Sequence, residues 1–310
     1  MLISHLASSC NSSACRSKVQ ESPSQSLADS LRSLIADIPA EIGVALIING
    51  SDTVVVNNAD KYPLMSVFKL HQAVALYRHL AETGVAPDSI LTVAREELNP
   101  DTWSPMLSEY TAPLFRISIN RLVEYALTQS DNNASNILFN RLLDVEHTDS
   151  IITAILPDKG SKLKYTEEQM HSNHALCYGN HSSPFAVAQL LEALFTDSIM
   201  PAESNRLICD NLRNCATGID RISQPIADIP GVVIAHKTGS GYRNPDGILT
   251  AHNDAAYIIL PNGTHYTLVV LVKDSALDEA DTSTAISLIS EMVYRYVVSR
   301  DGMAHCGVST

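Results

Sequence analysis

The chain reads as an α+β protein, α/β in the broad sense, built from two lobes. Strands from both ends close into one antiparallel sheet, and a helical section between them forms the second lobe. Three observations predict this. IGVALIING and DTVVVNN, near the start, are β-rich runs joined at Asn49-Gly50, a strong short-hairpin signal. AAYIIL and YTLVVLV, near the end, flank Pro261-Asn262-Gly263, a second hairpin. From about residue 63 to 215 the apolar pattern is mainly helical, broken at NPDTWSP, LPDKGSK and YGNHSSP. Residues 23–62 and 216–310 are therefore assigned to an α/β lobe and 63–215 to an all-α lobe, together one catalytic-sized unit.

Residues 1–22 are Ser-rich and aperiodic, a leader or a disordered segment. The opening MLISHLASSC has the look of an export-signal fragment, without a basic n-region and with a short apolar run. Ala7-Ser8-Ser9-Cys10 has the shape of a lipoprotein cleavage site, which would make Cys10 an anchor; a disordered tail reads equally well. Leu27, Leu31, Leu34, Ile35 and Ile38 recur at helical spacing and give an amphipathic first helix. The first hairpin follows, then the helical section, then the second hairpin. A last helix is predicted from about Asp278 to Val298, with Ile286, Ile289, Met292, Val293 and Tyr296 on one face. A cleft between the two lobes is the default place for a ligand.

Composition narrows the function. The 310 residues, 45% hydrophobic and 18% charged, are those of an ordinary globular protein with a sizeable core. A formal net charge of −13 argues against a nucleic-acid partner, so an anionic ligand would need a local cationic pocket. No window approaches the roughly 18 consecutive apolar residues of a membrane span, so no stable membrane insertion is expected. Six cysteines, Cys10, Cys15, Cys177, Cys209, Cys215 and Cys306, include no C-x-x-C pair and read as structural or incidental. Cys209 and Cys215 are placed in one helical pattern, facing different ways.

Three polar motifs interrupt this pattern. In PLMSVFKLHQA, Ser66 and Lys69 stand three apart, so on a helix the hydroxyl and the amine share a face. Pro63 upstream suggests that the helix begins near Ser66, with its free N–H groups aimed at anything bonded to the serine. An adjacent amine can activate a serine if its own charge is disfavoured. Ser130-Asp131-Asn132 lies between RLVEYAL and SNILF: a capping turn, or a relay hydroxyl and an amide for a substrate carbonyl. Lys237-Thr238-Gly239 follows the β-rich GVVIAH and precedes Ser240-Gly241, where a lysine and a hydroxyl can hold an anion and glycine lets backbone come close. Each motif alone also fits an ordinary structural role.

S-x-x-K, S-D-N and K-T-G in this order and at these separations form the signature of serine β-lactamases and penicillin-binding proteins. From about residue 25 onward the chain resembles class A β-lactamases. The resemblance implies the serine β-lactamase two-lobe fold with the active site between the lobes. It implies Ser66 as nucleophile, with the N–H groups of Ser66 and Ser240 as oxyanion hole. Lys69 and Ser130 would pass protons, Asn132 would meet a substrate carbonyl, and Lys237 and Thr238 would bind the substrate carboxylate. It implies a small-molecule β-lactam as partner, no cofactor or metal, a monomer, and a periplasmic or secreted location.

Hydrolysing the acyl-serine needs a base for water. In KYTEEQMHSNHALCYGN the resemblance aligns Glu167 with that base, with Glu168 as runner-up. His171 replaces an asparagine that usually helps to position the water, and Tyr165 and Asn180 stand where an arginine and an aspartate usually form a loop salt bridge. Such a loop resembles the cephalosporin-leaning, extended-spectrum branch. Trp103, the only tryptophan, belongs either at the cleft mouth or in the core. The arginine that many members carry after K-T-G is absent; Arg221 is the candidate replacement, with Arg243 a solvated alternative. His171, His174 and His181 share one loop without a metal-site spacing. The other readings are a D-alanyl-D-alanine carboxypeptidase, which would release the acyl group slowly, or a β-lactam sensor domain, which would keep it.

Overall fold

The computed structural model describes residues 23–58, 61–156, 160–196 and 199–306; the leader expected over 1–22, with Cys10 and Cys15, lies outside them. The chain opens with α1 (Pro23–Ile35), the hairpin β1 (Glu41–Ile48) and β2 (Asp52–Val56), and short β3 (Tyr62–Pro63). A 3₁₀ turn, Met65–Val67, leads into α2 (Phe68–Thr83), followed by β4 (Ile90–Ala94), α3 (Met106–Glu109) and β5 (Leu114–Ser118). Then come α4 (Ile119–Thr128), α5 (Asn132–Arg141), α6 (Val145–Ile155), β6 (Ser161–Lys162), α7 (Glu167–Ser172) and β7 (His181–Ser182). The helices α8 (Pro184–Thr196) and α9 (Ala202–Arg213) lead to β8 (Val233–Ser240), β9 (Leu249–Ile259), β10 (His265–Ser275) and α10 (Glu279–Cys306).

The terminal strands form one antiparallel sheet in the order β2-β1-β10-β9-β8. Its central strands β1, β10 and β9 are buried on both faces, while the edge strand β2 exposes Thr53 and Val55; in β1 the two-residue period sorts the side chains. Val44, Leu46 and Ile48 of β1 pack with Leu31 of α1 and with Ile286, Ile289 and Val293 of α10. Ala45 and Ile47, pointing the other way, join the core of the helical section. In that core α2 is buried nearly all round, from Phe68 to Tyr77, and so carries its polar residues into the middle of the protein.

The section from 63 to 215 is not all helical. β4 and β5 pair as a two-stranded ribbon, and β3, β7 and β6 form a small sheet. LFRIS alternates, with Phe115 and Ile117 buried and its other residues more exposed, but five residues are too few to stand out from helical neighbours. Cys215 lies beyond the end of α9 rather than in one helix with Cys209. β9 begins at Leu249, so the polar run His252-Asn253-Asp254 sits inside a strand expected from its apolar part alone.

Candidate active site

Ser66 stands in the 3₁₀ turn at the head of α2, where Met65 takes a left-handed φ of 44°. The turn is held from two sides. Asn253 Nδ2 donates to the carbonyls of Pro63 (2.7 Å) and Leu64 (3.1 Å). At Gly239 an added Cβ would come within 2.6 Å of Leu64 O and 3.1 Å of Ser66 N, so β8 can pass this close only with glycine there.

Ser66 Oγ donates to Glu167 Oε1 at 3.2 Å and accepts from Lys69 Nζ at 3.2 Å. Lys69, fully buried, also donates to Ser130 O (2.7 Å) and Asn132 Oδ1 (2.6 Å) and pairs with Glu167 Oε1 at 2.9 Å. The buried amine is thus compensated by a carboxylate and three further oxygens, which is what a lysine in this place requires. Glu167 is the first residue of α7, capped by Thr166, whose hydroxyl accepts from Gln169 N. The alternative Glu168 is exposed on the other side, and its N–H donates to Asn136 Oδ1.

Ser130 also adopts left-handed backbone, φ 58°, ahead of α5. This turns its carbonyl to Lys69 and its hydroxyl to Lys237, whose Nζ donates to it at 3.0 Å. Asp131 caps α5 through Ala134 N and accepts from Ser104 Oγ and Met106 N, fixing the loop that carries Trp103. Asn132 Nδ2 donates to Thr102 Oγ1 at 2.8 Å. Trp103 is 63% exposed, with Nε1 donating to Gln129 O, so it belongs to the cleft mouth and not to the core.

On the opposite wall Lys237 is fully buried, and burial pushes its ammonium down to about 7. Thr238 Oγ1 lies 2.6 Å from Thr217 Oγ1. Arg221 donates to Gly239 O (3.2 Å), Asn253 O (2.7 Å) and Ser240 Oγ (2.6 Å), which places its guanidinium under the end of β8. Arg243 instead binds the carbonyls of Gly247 and Leu277 and is exposed. Ser66, Ser130, Asn132, Glu167, Arg221 and Thr238 face one cleft of about 540 Å³.

The loop around Glu167 is held without the salt bridge. Buried Asn180 accepts from Lys164 N (2.7 Å) and Tyr165 N (2.9 Å) and donates to Tyr165 O (2.7 Å). The Tyr165 ring lies against Gly179, where an added Cβ would come within 2.3 Å of it. His171, on the cleft wall, meets His174 edge-on, and His174 stacks on Tyr242 with ring centroids 3.6 Å apart. His181 is on β7, away from this stack. Asn253 and Tyr242 were not singled out from the sequence, and His174 only as one of three histidines in a loop. The available signal for Asn253 was a polar triplet inside an otherwise apolar strand, which must be satisfied internally.

A serine flanked by an amine and a carboxylate, facing a second lysine and an arginine across a cleft, defines a hydrolase-type site for an anionic acyl substrate. The family model described as "Beta-lactamase enzyme family" matches residues 26–297. A β-lactamase of Phocaeicola vulgatus is 46% identical over 268 residues, 86% of this chain and 84% of that protein. Among solved structures, the TLA-3 extended-spectrum β-lactamase superposes with a TM-score of 0.85 at 31% identity, covering 89% of this chain and 99% of that one. A class A β-lactamase from Bacteroides cellulosilyticus gives 0.84 at 31% identity, covering 90% and 100%. The chain belongs to the β-lactamase family and is a class A β-lactamase, an enzyme that hydrolyses β-lactams.

Proposed function

We propose that hydrolysis proceeds through an acyl-serine intermediate on Ser66. Ser66 Oγ gives its proton to Lys69, which passes a proton on toward Ser130, and attacks the lactam carbonyl. The N–H groups of Ser66 and Ser240 hold the resulting oxyanion; removing one such donor typically costs about 10²–10³ in rate. As the carbonyl carbon–nitrogen bond breaks, Ser130 protonates the departing nitrogen and is reprotonated through Lys69 with the proton that Ser66 gave up, so Glu167 remains a carboxylate. Glu167 then takes a proton from a water molecule, which attacks the ester and frees Ser66. Lys237, Thr238 and Arg221 bind the substrate carboxylate, Asn132 meets its side-chain carbonyl, and Trp103 and His171 border the cleft. The observation that carries this reading is Ser66 Oγ lying 3.2 Å from both Lys69 Nζ and Glu167 Oε1.

The same observation favours turnover over the carboxypeptidase and sensor readings, because a base stands ready beside the acylated oxygen. We place the enzyme in the periplasm or outside the cell, where β-lactams meet their targets, and working as a monomer. No helix among the described residues is long and apolar enough to cross a membrane. A lean toward cephalosporins is supported by the salt-bridge-free loop and by the likeness to a relative titled extended-spectrum. The test is to mix the enzyme with a chromogenic cephalosporin and a penicillin. Sustained turnover is expected, lost in Ser66→Ala, with kcat/KM higher for the cephalosporin. A single burst with a persistent adduct would instead favour the other two readings.

A further inference from the structure

In a regular 3₁₀ turn the Ser66 N–H would donate to Pro63 O, three residues back, as Val67 N does to Leu64 O at 3.1 Å. Among the described residues it donates to no backbone carbonyl. Met65, with its left-handed φ of 44°, stands between the two and turns the Ser66 N–H off that course. Such backbone is strained for a residue that is not glycine, and it persists only where the surroundings impose it. The turn therefore needs a substitute donor for Pro63 O and a hold that keeps Met65 in place.

Asn253, fully buried on β9, supplies both. Its Nδ2 donates to Pro63 O at 2.7 Å and Leu64 O at 3.1 Å, while its Oδ1 accepts from Val272 N on β10 at 3.0 Å. Both ends of the amide are used, so it has one orientation. Turned over, its oxygen would face two carbonyls and its NH₂ group would face the Val272 N–H. Asn253 stands opposite Gly239 in the β8–β9 register, where an added Cβ would come within 3.1 Å of Ser66 N. Its own carbonyl accepts from Arg221 Nη1 at 2.7 Å. From another side the Leu64 N–H donates to the carbonyl of Asn180 at 2.8 Å, the residue that holds the Glu167 loop. The peptide groups around Leu64 are thus gripped from the sheet and from that loop.

We infer that Asn253 is the positioning residue of the oxyanion hole: by taking the carbonyls of Pro63 and Leu64 it holds the turn in the one form that leaves the Ser66 N–H free for the substrate oxygen. It touches neither substrate nor reacting atoms and acts through the Ser66 backbone. Without its amide, Pro63 O has no donor from the sheet, and the turn can relax toward a regular 3₁₀ course in which Pro63 O takes the Ser66 N–H for itself. The inference rests on the reading of Ser66 as the nucleophile and of its N–H as an oxyanion donor.

Phenylboronic acid is the probe. The serine oxygen bonds to its boron, one boron-bound oxygen enters the oxyanion hole, and it has no carboxylate for Lys237 or Arg221, so its inhibition constant reads the hole. Asn253→Ala should raise that constant about tenfold or more at pH 8, part of the about 10²–10³ that loss of a whole oxyanion donor typically costs. Asn253→Asp, of the same size, still accepts from Val272 N but has no N–H for the two carbonyls, and should bind the boronate as weakly. Thr267→Val, which removes the hydroxyl donated to buried Glu192 elsewhere on β10, is the stability control. It should melt at a lower temperature and keep the wild-type constant within about twofold. Stopped-flow acylation by a chromogenic cephalosporin should slow in both Asn253 variants and not in the control. Boronate binding unchanged in Asn253→Ala would reduce Asn253 to a structural residue and overturn the inference. Wild-type affinity in Asn253→Asp would do the same, since the Val272 contact alone would then suffice. Failure of both Asn253 variants to fold would also overturn it, because the amide would then serve the fold as a whole. A wild type that neither binds the boronate nor turns over any β-lactam would sink the proposed function, and this inference with it.

Discussion

At Ser66 the hydroxyl has an amine on one side and a carboxylate on the other, and each neighbour is costly without the other. Lys69 and Glu167 are a buried pair, and removing one partner of such a pair typically costs about 3–5 kcal/mol. This explains why an apolar segment tolerates a lysine. Arg221 is the second residue with a consequence of its own. Its guanidinium reaches Ser240 Oγ, Gly239 O and Asn253 O, at the strand end where the substrate carboxylate would bind. Arg221→Ala should lower kcat/KM for carboxylate-bearing β-lactams about ten- to hundredfold, corresponding to a charged hydrogen bond of about 1.5–3 kcal/mol. Steady-state kinetics should show the loss mainly in KM. A loss confined to kcat would mean that the arginine acts on the reaction centre instead.

Among the elements, α7 and its loop have the most to hold in place, because Glu167 is the first residue of a six-residue helix. A short helix cannot fix its own position. Asn180 does so by making three hydrogen bonds to the backbone of Lys164 and Tyr165, next to the helix start. Asn180→Ala leaves these part-buried backbone groups without their partner, at up to about 1–3 kcal/mol for each group left unsatisfied. The melting temperature should drop by several degrees, and the acyl-enzyme should accumulate in rapid-quench mass spectra because the base is no longer held. Unchanged deacylation would show that the loop is held elsewhere, through Tyr165 against Gly179 or His174 against Tyr242. The Asn-Gly hairpins and the three polar motifs were legible because turn chemistry and catalytic spacing are local in sequence. The β4–β5 ribbon was not, since five alternating residues carry too short a pattern. Neither was the Asn180 clamp, because an amide in a polar loop looks like any other until its partners are seen.

For the whole molecule, the sheet and the helical section share one core, and groups buried in it govern the response to acid. His71 on α2 is fully buried, with Nε2 3.4 Å from Ser161 Oγ, and burial pulls it down to about 4. Its unfolded value is about 6.5. As pH falls below 6.5 the unfolded chain takes up this proton and the folded one does not, so stability declines until about pH 4 and then levels off. The loss is on the order of 3 kcal/mol. Urea titrations from pH 7 to 4 should show a shallower decline for His71→Gln than for the wild type; equal slopes would mean that other groups carry the acid sensitivity. The single antiparallel sheet was readable from β-rich runs at both chain ends. The convergence of Ser66, Ser130, Glu167 and Lys237 was readable only through motif order, since nothing local states that residues 101 positions apart will come within 3.2 Å. That convergence is the central claim, and the intact mass of Glu167→Gln after mixing with a cephalosporin tests it most directly. Rapid acylation of Ser66 is expected, with an adduct that persists for many wild-type turnover times. Wild-type turnover without an adduct, or a persistent adduct in Glu168→Gln in place of Glu167→Gln, would contradict it.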